Sequence, residues 1–441
     1  MSTRRAQIAD QTRVPCGESY PTPCRKHHLT TAAPTAPTLI TWNEEGQTRT
    51  AIWRAENGSP PPKRVMAVDD TITADSAFRL ASEGTAMLWR GDFQNARQLL
   101  LALAKRVDAK GIRAKRNSKA QPKKPTPRVL PVAANDSPPP AVPSLVDAFN
   151  LHRLARSQRA RTLSMLLIPF DTDFSIPLGR APDVEGACKE AWGSPTGRPS
   201  VASLRELLGI IGAHEWRKKG VEISVLSSRV HPHYGVFAPI RSEYVDLIAE
   251  APLSDPPPAM AFDIGTGTGV LAAVLAARGI DRVIATDTDP RALSCARDNL
   301  RRMRLQDSIS VIDADLFPQG KAPLIVCNPP WIPARPSSPL ERAVYDPDSQ
   351  MLRGFLSGLA AHLEPKGEGW LILSDLAEHL GLRSRETLLA WIDAAGLVVA
   401  NRIDVAPSHP RVSDVTDALH AARAKEVTSL WQLRAKGKAG K

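Results

Sequence analysis

The chain has 441 residues, 39 of them proline, and a formal net charge of +11. That length accommodates two or three domains, each with its own core. No apolar run approaches the ~20 residues that a membrane span requires. The excess charge lies in residues 1–145, with 22 Lys/Arg against 12 Asp/Glu, and the remainder is close to neutral. Five scattered cysteines, Cys16, Cys24, Cys188, Cys295 and Cys327, argue against a disulfide framework. Cys16 and Cys24 with His27 and His28 fit no common zinc knuckle, so no metal site is expected. Met1-Ser2-Thr3-Arg4-Arg5-Ala6 has no apolar core behind its arginines, so no secretory signal and a cytoplasmic location are expected.

Residues 1–36 are rich in Thr, Pro and Ala and read as a disordered tail. Residues 37–110 read as a small α+β module. Leu39 to Trp42 and Thr50 to Trp53 flank Glu44-Glu45-Gly46 as a hairpin, and Arg64 to Val68 is a third strand. A short helix over 74–83 stops at Gly84, and a longer one starts at Asp92 with Ala96, Leu99, Leu100, Leu103 and Val107 on one face. Residues 111–143 carry Lys115-Arg116, Lys119, Lys123-Lys124 and Arg128 among prolines. They read as an extended basic linker, either a solubilising tether or a contact for nucleic-acid phosphates. Residues 144–250 read as a mostly helical domain. Ser144 caps a helix from Leu145 to about Leu166, and Ser200 opens one from Val201 to Ile211. A β-hairpin spans 221–237, and a helix spans Arg241 to Ala249.

From 251 to 436 strands and helices alternate. Strands are predicted near 259–264, 282–286, 309–312, 323–327, 370–374, 397–403 and 427–433, and helices near 269–278, 290–302, 350–362 and 384–394. This α/β pattern specifies a doubly wound, Rossmann-like sheet of seven strands covered on both faces.

The first of these strands ends at Asp263 and enters Gly265-Thr266-Gly267-Thr268-Gly269, a turn that lets the backbone approach a ligand at the carboxyl end of the sheet. The spacing differs from the Gly-x-Gly-x-x-Gly of nicotinamide-binding folds. Asp287 ends the second strand, where a carboxylate can accept hydrogen bonds from both ribose hydroxyls. Asp289 reads as the cap of the helix that follows. Asp313-Ala314-Asp315-Leu316-Phe317 ends the third strand. There Asp315 can meet an adenine amino group, and Leu316 or Phe317 can wall the ring. The fourth strand ends in Asn328-Pro329-Pro330-Trp331. Two prolines stiffen this loop, so that the Asn328 side-chain oxygen and the Pro329 carbonyl can accept both hydrogens of an –NH2 group, while Trp331 offers a flat wall. A nicotinamide enzyme has no use for such a loop; the order of features favours S-adenosylmethionine over NAD. Cys327 reads as a buried apolar residue.

The order DIGTGTG (263–269), ATDTDPRAL (285–293), DADLF (313–317) and NPPW (328–331) resembles the class I methyltransferases of the HemK type, release-factor glutamine methyltransferases grouped with the wider small-domain methyltransferases of rRNA and tRNA bases. The resemblance covers about 200–435. Phe237-x-Pro239-x-Arg241-x-Glu243 echoes the family's pre-domain helix, and Tyr345-Asp346-Pro347 with Met351 to Leu359 loosely matches its Glu-Pro segment. Trp331 stands where the family usually has tyrosine or phenylalanine, which implies a differently shaped acceptor pocket. Residues 1–199 match no family pattern.

These readings imply S-adenosyl-L-methionine as cofactor. Asp263, Gly265, Thr266, Gly267, Gly269, Asp287, Asp315, Leu316 and Asn328 are its candidate binding residues. Asn328, Pro329, Pro330 and Trp331 are the candidate catalytic loop. The leading expected activity is methylation of a glutamine side-chain amide on a protein, with residues 144–250 recognising the substrate. A nucleic-acid enzyme acting on an exocyclic base amine of RNA or DNA is the runner-up. A catalytically idle cofactor-binding scaffold is the alternative from another class.

Overall fold

Strands from two separated stretches of the chain build the first sheet. The computed structural model describes residues 37–119, 144–338, 340–407 and 419–437, and those from Thr38 onward belong to one compact unit. The expected tail at 1–36 and most of the expected linker, 120–143, lie outside the described residues.

β1 (Leu39–Glu44) and β2 (Gln47–Arg54) form the expected hairpin. β3 (Arg64–Val68) and α1 (Ala74–Ser82) follow, and then β4 (Thr85–Trp89), all of whose residues are buried. α2 spans Phe93–Lys119, so residues 111–119, expected in the linker, continue a helix instead. α3 (Leu145–Leu163) starts on a reciprocal capping box between Ser144 and Asp147. The chain then turns into β5 (Leu166–Phe170), α4 (Glu185–Trp192), β6 (Ser200–Ser203) and α5 (Leu204–Lys219).

The sheet order is β1-β2-β6-β5-β4-β3. Two expectations are corrected here. Residues 144–219 are mostly helical, as expected, but they carry β5 and β6 and do not form a domain apart from 37–110, because these strands pair with β4 and β2 of the earlier stretch. Ser200 is not a helix cap either. It begins β6, and Ser203 caps α5 by accepting from the Glu206 N–H. The predicted hairpin is also shorter, confined to β7 (Val221–Ile223) and β8 (Ser228–Val230).

The second half follows the predicted alternation closely. After α6 (Glu243–Glu250) come β9 (Met260–Ile264), α7 (Val270–Ala277), β10 (Arg282–Asp287), α8 (Pro290–Arg302), β11 (Ile309–Asp313) and β12 (Ala322–Cys327). Then come α9 (Gln350–His362), β13 (Leu363–Ser374), α10 (Leu376–His379), α11 (Arg385–Ala394), β14 (Leu397–Val405), α12 (His420–Arg423) and β15 (Thr428–Ala435). The strands lie in the order β11-β10-β9-β12-β13-β15-β14. β15 runs antiparallel between β13 and β14.

The central strands are buried on both faces, and the edge strands β11 and β14 are largely exposed. Leu271, Val274 and Leu275 of α7 pack with Ile248 of α6 against one face. Phe355, Leu359, Leu388 and Ile392 of α9 and α11 pack against the other. Burying one such side chain stabilises the fold by about 1.5–3 kcal/mol. Strand order reverses between β9 and β12, and in doubly wound sheets that reversal opens a crevice at the carboxyl ends of the strands.

Candidate active site

Parallel pairing sets the two halves of the site side by side. Ile264 of β9 is in register with Cys327 of β12, so the glycine turn and the Asn328 loop leave the sheet as neighbours at its switch point.

The turn is held from below. Asp263 is 1% exposed. Its Oδ2 accepts from the Thr266 hydroxyl at 2.6 Å and from the Ala272 N–H at 3.1 Å. Burial pushes this carboxyl up to about 6, against those two hydrogen bonds. Asp263 thus ties the turn to α7 through the Ala272 N–H. The Thr266 N–H donates to the Thr286 carbonyl at 2.8 Å, fastening the turn to β10. Gly265 has φ +72°, and a Cβ there would lie 2.5 Å from Met351 Cε. Gly267 has φ +56° and open space where a Cβ would go, which leaves backbone free to approach a ligand.

Asp287, at the end of β10, belongs to the same turn. Its Oδ2 accepts from the Gly267 N–H at 3.0 Å and its Oδ1 from the Asp289 N–H at 2.9 Å. Burial raises its pKa, and these backbone donors oppose the shift. Asp289 caps α8 by accepting from the Arg291 N–H at 2.9 Å, as predicted. Asp313 lies beside Asp287 in the parallel ladder. Asp315 is exposed just beyond. Leu316, at φ +65°, is held by a hydrogen bond from the Thr286 hydroxyl to its carbonyl at 2.6 Å. Phe317 is stacked on His362 at 4.3 Å and packs near Phe355. Both Leu316 and Phe317 pack against α9, Leu316 at Gly354 and Phe317 at Gly358.

The Asn328-Pro329-Pro330-Trp331 loop differs from expectation in one respect. The Trp331 indole N–H donates to Asn328 Oδ1 at 2.9 Å, so part of that oxygen's accepting capacity is already used. The Arg241 guanidinium lies 5.4 Å from the centre of the Trp331 ring, over the ring assigned to the acceptor. Arg241 in turn donates to both carboxylate oxygens of buried Glu426, at 3.0 and 3.3 Å. The Ser374 hydroxyl adds a third hydrogen bond to Glu426 at 2.8 Å. Arg241 and Met351 stand in the sequence only as parts of motifs, and Glu426 and Ser374 carry no local signal that marks them. Cys327 is fully buried, and burial lifts its thiol well above the ordinary range, in keeping with its reading as an apolar filler.

Among the described residues no His, Cys, Asp or Glu group is arranged to hold a metal ion, and no helix is long and apolar enough to cross a membrane. Cys16, Cys24, His27 and His28 lie outside the described residues.

Residues 229–382 match the family described as "Methyltransferase small domain". The chain is 31% identical over 197 residues to a release factor glutamine methyltransferase of Cereibacter sphaeroides, covering 42% of this chain and 65% of that protein. It is 32% identical over 133 residues to a tRNA1(Val) (adenine(37)-N6)-methyltransferase of Bacteroides thetaiotaomicron, covering 28% and 56%. It is 42% identical over 72 residues to a ribosomal protein L11 methyltransferase of Carboxydothermus hydrogenoformans, covering 16% and 24%. The chain thus spans less than two thirds of the length of each of these curated relatives.

Proposed function

We propose that this chain, whose C-terminal half is a class I methyltransferase domain of the HemK and small-domain type, methylates a planar nitrogen of a macromolecule. S-adenosylmethionine is the methyl donor of that class, and it supplies an electrophilic methyl on a sulfonium. The open backbone at Gly267 and the carboxylate of Asp287 fit its nucleoside part, with Leu316 beside the base. Asp263 and Thr266 hold the turn that presents these groups.

The observation that carries the reading is the register of Ile264 with Cys327, which sets Asn328-Pro329-Pro330-Trp331 next to the glycine turn. A planar nitrogen has a delocalised lone pair, so its alkylation depends on alignment more than on a strong base. Asn328 Oδ1 and the Pro329 carbonyl accept the acceptor's two hydrogens and stabilise the positive charge that develops on nitrogen, an effect of orientation and preorganised electrostatics.

The leading substrate is a glutamine side-chain amide on a protein, supported by the likeness to release-factor enzymes. An exocyclic base amine of nucleic acid is the second reading, favoured by the likeness to the tRNA adenine enzyme and by the basic residues at 115–128. Incubation of the chain with methyl-labelled cofactor and cell extract, followed by protease or nuclease, separates the two. Release of label by protease supports the amide, release by nuclease the base amine. No transfer to any macromolecule would leave the idle scaffold.

A further inference from the structure

We propose that Glu426, Arg241 and Trp331 act in series to set the orientation of the Asn328 amide. The inference deepens the reading of Asn328 as the acceptor contact and rests on it. An indole N–H only donates. The Asn328 atom 2.9 Å from Trp331 Nε1 must therefore be the oxygen, since a flipped amide would set two donors against each other. One accepted hydrogen leaves Oδ1 a second lone pair, which together with the Pro329 carbonyl meets the two hydrogens of an –NH2 group. A tyrosine or phenylalanine at this position has no donor at the indole nitrogen's place, so the device belongs to this chain's tryptophan.

The indole is in turn held in place. Trp331 is half-buried against apolar side chains from both faces of the sheet, and the Arg241 guanidinium lies over its ring at 5.4 Å. A cation over an indole face is attracted by the ring's electron density. Arg241 has little freedom to leave, because its planar fork is paired with both oxygens of Glu426. Glu426 is buried at the edge of the crevice, just before β15, and also accepts from Ser374 at the end of β13. A buried carboxylate that loses its cation is strongly destabilised, so the pair forms a fixed post. Arg241, Glu426 and Trp331 are positioning residues: they act on the acceptor through Asn328.

The test uses the full chain labelled with 15N-tryptophan, the Trp331 indole resonance being assigned by its loss in W331F. N328A and R241K are each expected to move that resonance. In single-turnover transfer to the acceptor found by the labelling experiment, W331F should lower the rate ~10-fold, the worth of one oriented hydrogen bond, with acceptor affinity within about twofold. R241K should slow the wild type several-fold and leave W331F unchanged, because its effect runs through the indole. E426Q, which keeps the side chain's shape, should act like R241K. A cooperative melting transition above the assay temperature and calorimetric cofactor affinity close to wild type show that each variant is folded. An indole resonance indifferent to N328A, or an R241K effect of equal size with and without Trp331, overturns the proposal. The resonance measurements need no acceptor. Coupled resonances in a chain that methylates nothing would support the arrangement and remove only the functional reading above.

Discussion

Arg291, on α8 of the C-terminal sheet, lies 2.8 Å from the Glu56 carboxylate just beyond β2 of the N-terminal sheet. The same side chain donates to the Ala191 carbonyl at 3.3 Å and lies 5.6 Å from the Tyr234 ring centre. One arginine thus ties the two sheets. Nearby, Arg217 bridges Glu190 of α4 and Asp298 of α8 at 3.0 and 3.5 Å.

Arg291→Ala is expected to destabilise the protein by about 1–2 kcal/mol. Most of this comes from the lost packing and carbonyl contact, since a half-exposed ion pair contributes no more than ~1 kcal/mol. A double-mutant cycle with Glu56→Gln in urea unfolding isolates the pair. A coupling energy of zero would show that the two residues are merely adjacent.

Glu206 adds a pH dependence to this junction. It accepts from the Glu56 N–H at 3.0 Å, and burial raises its pKa to about 7, with the neighbouring Glu56 carboxylate adding to the shift. The folded value lies above the ordinary 4.5, so folding favours the neutral acid. The associated stability is fully present below about 4.5 and is lost as pH rises through about 7. Glu206→Gln should therefore gain up to ~2–3 kcal/mol relative to wild type at pH 8 and little at pH 4.5. Melting curves across that range check it, and a pH-independent difference would refute the assignment.

Asp287→Ala should weaken cofactor binding by on the order of 2–3 kcal/mol through lost charge-assisted hydrogen bonds. The substitution also releases the Gly267 and Asp289 N–H groups, so a modest fall in melting temperature should accompany it. Asp287→Asn keeps one of the two acceptors and sets its –NH2 against the other N–H, so it is expected to restore stability only in part and affinity less. Calorimetry with the cofactor decides, and unchanged affinity in both variants would remove Asp287 from the site.

Asn328→Ala should cut methyl transfer ~100- to 1,000-fold, or about 2.7–4 kcal/mol, the usual cost of removing one preorganised contact to a transition state. Cofactor affinity should stay near wild type, because the residue sits on the acceptor side of the crevice. Normal turnover would reduce the Asn-Pro-Pro-Trp loop to a rigid strand terminator.

The C-terminal sheet was legible because most of its strands are apolar runs bounded by turn residues, and most are separated by a helix. Asp287 and Asn328 were legible for a related reason: each stands at the carboxyl end of such a run. The N-terminal sheet was not. β4, Thr85–Trp89, is buried on both faces and shows no alternation, β5 follows directly on the apolar end of α3, and β6 is built of small residues. Their pairing joins stretches far apart in the chain, and local pattern carries no information about such partners. The contact between Arg241 and Glu426 was hidden in the same way, since 185 positions separate the two.

The place of β15 bears on biosynthesis. It is flanked on both sides, by β13 and β14, yet among the seven strands of this sheet it is the last in chain order. Until residues 428–435 emerge, β13 and β14 are two unjoined edges, a hazard for pairing with other nascent chains. Glu426 emerges only just before them, so Arg241 waits for its anchor over nearly the same interval. A nascent chain can form the glycine turn early, but the arginine over Trp331 gains its carboxylate partner only after β14 has been made.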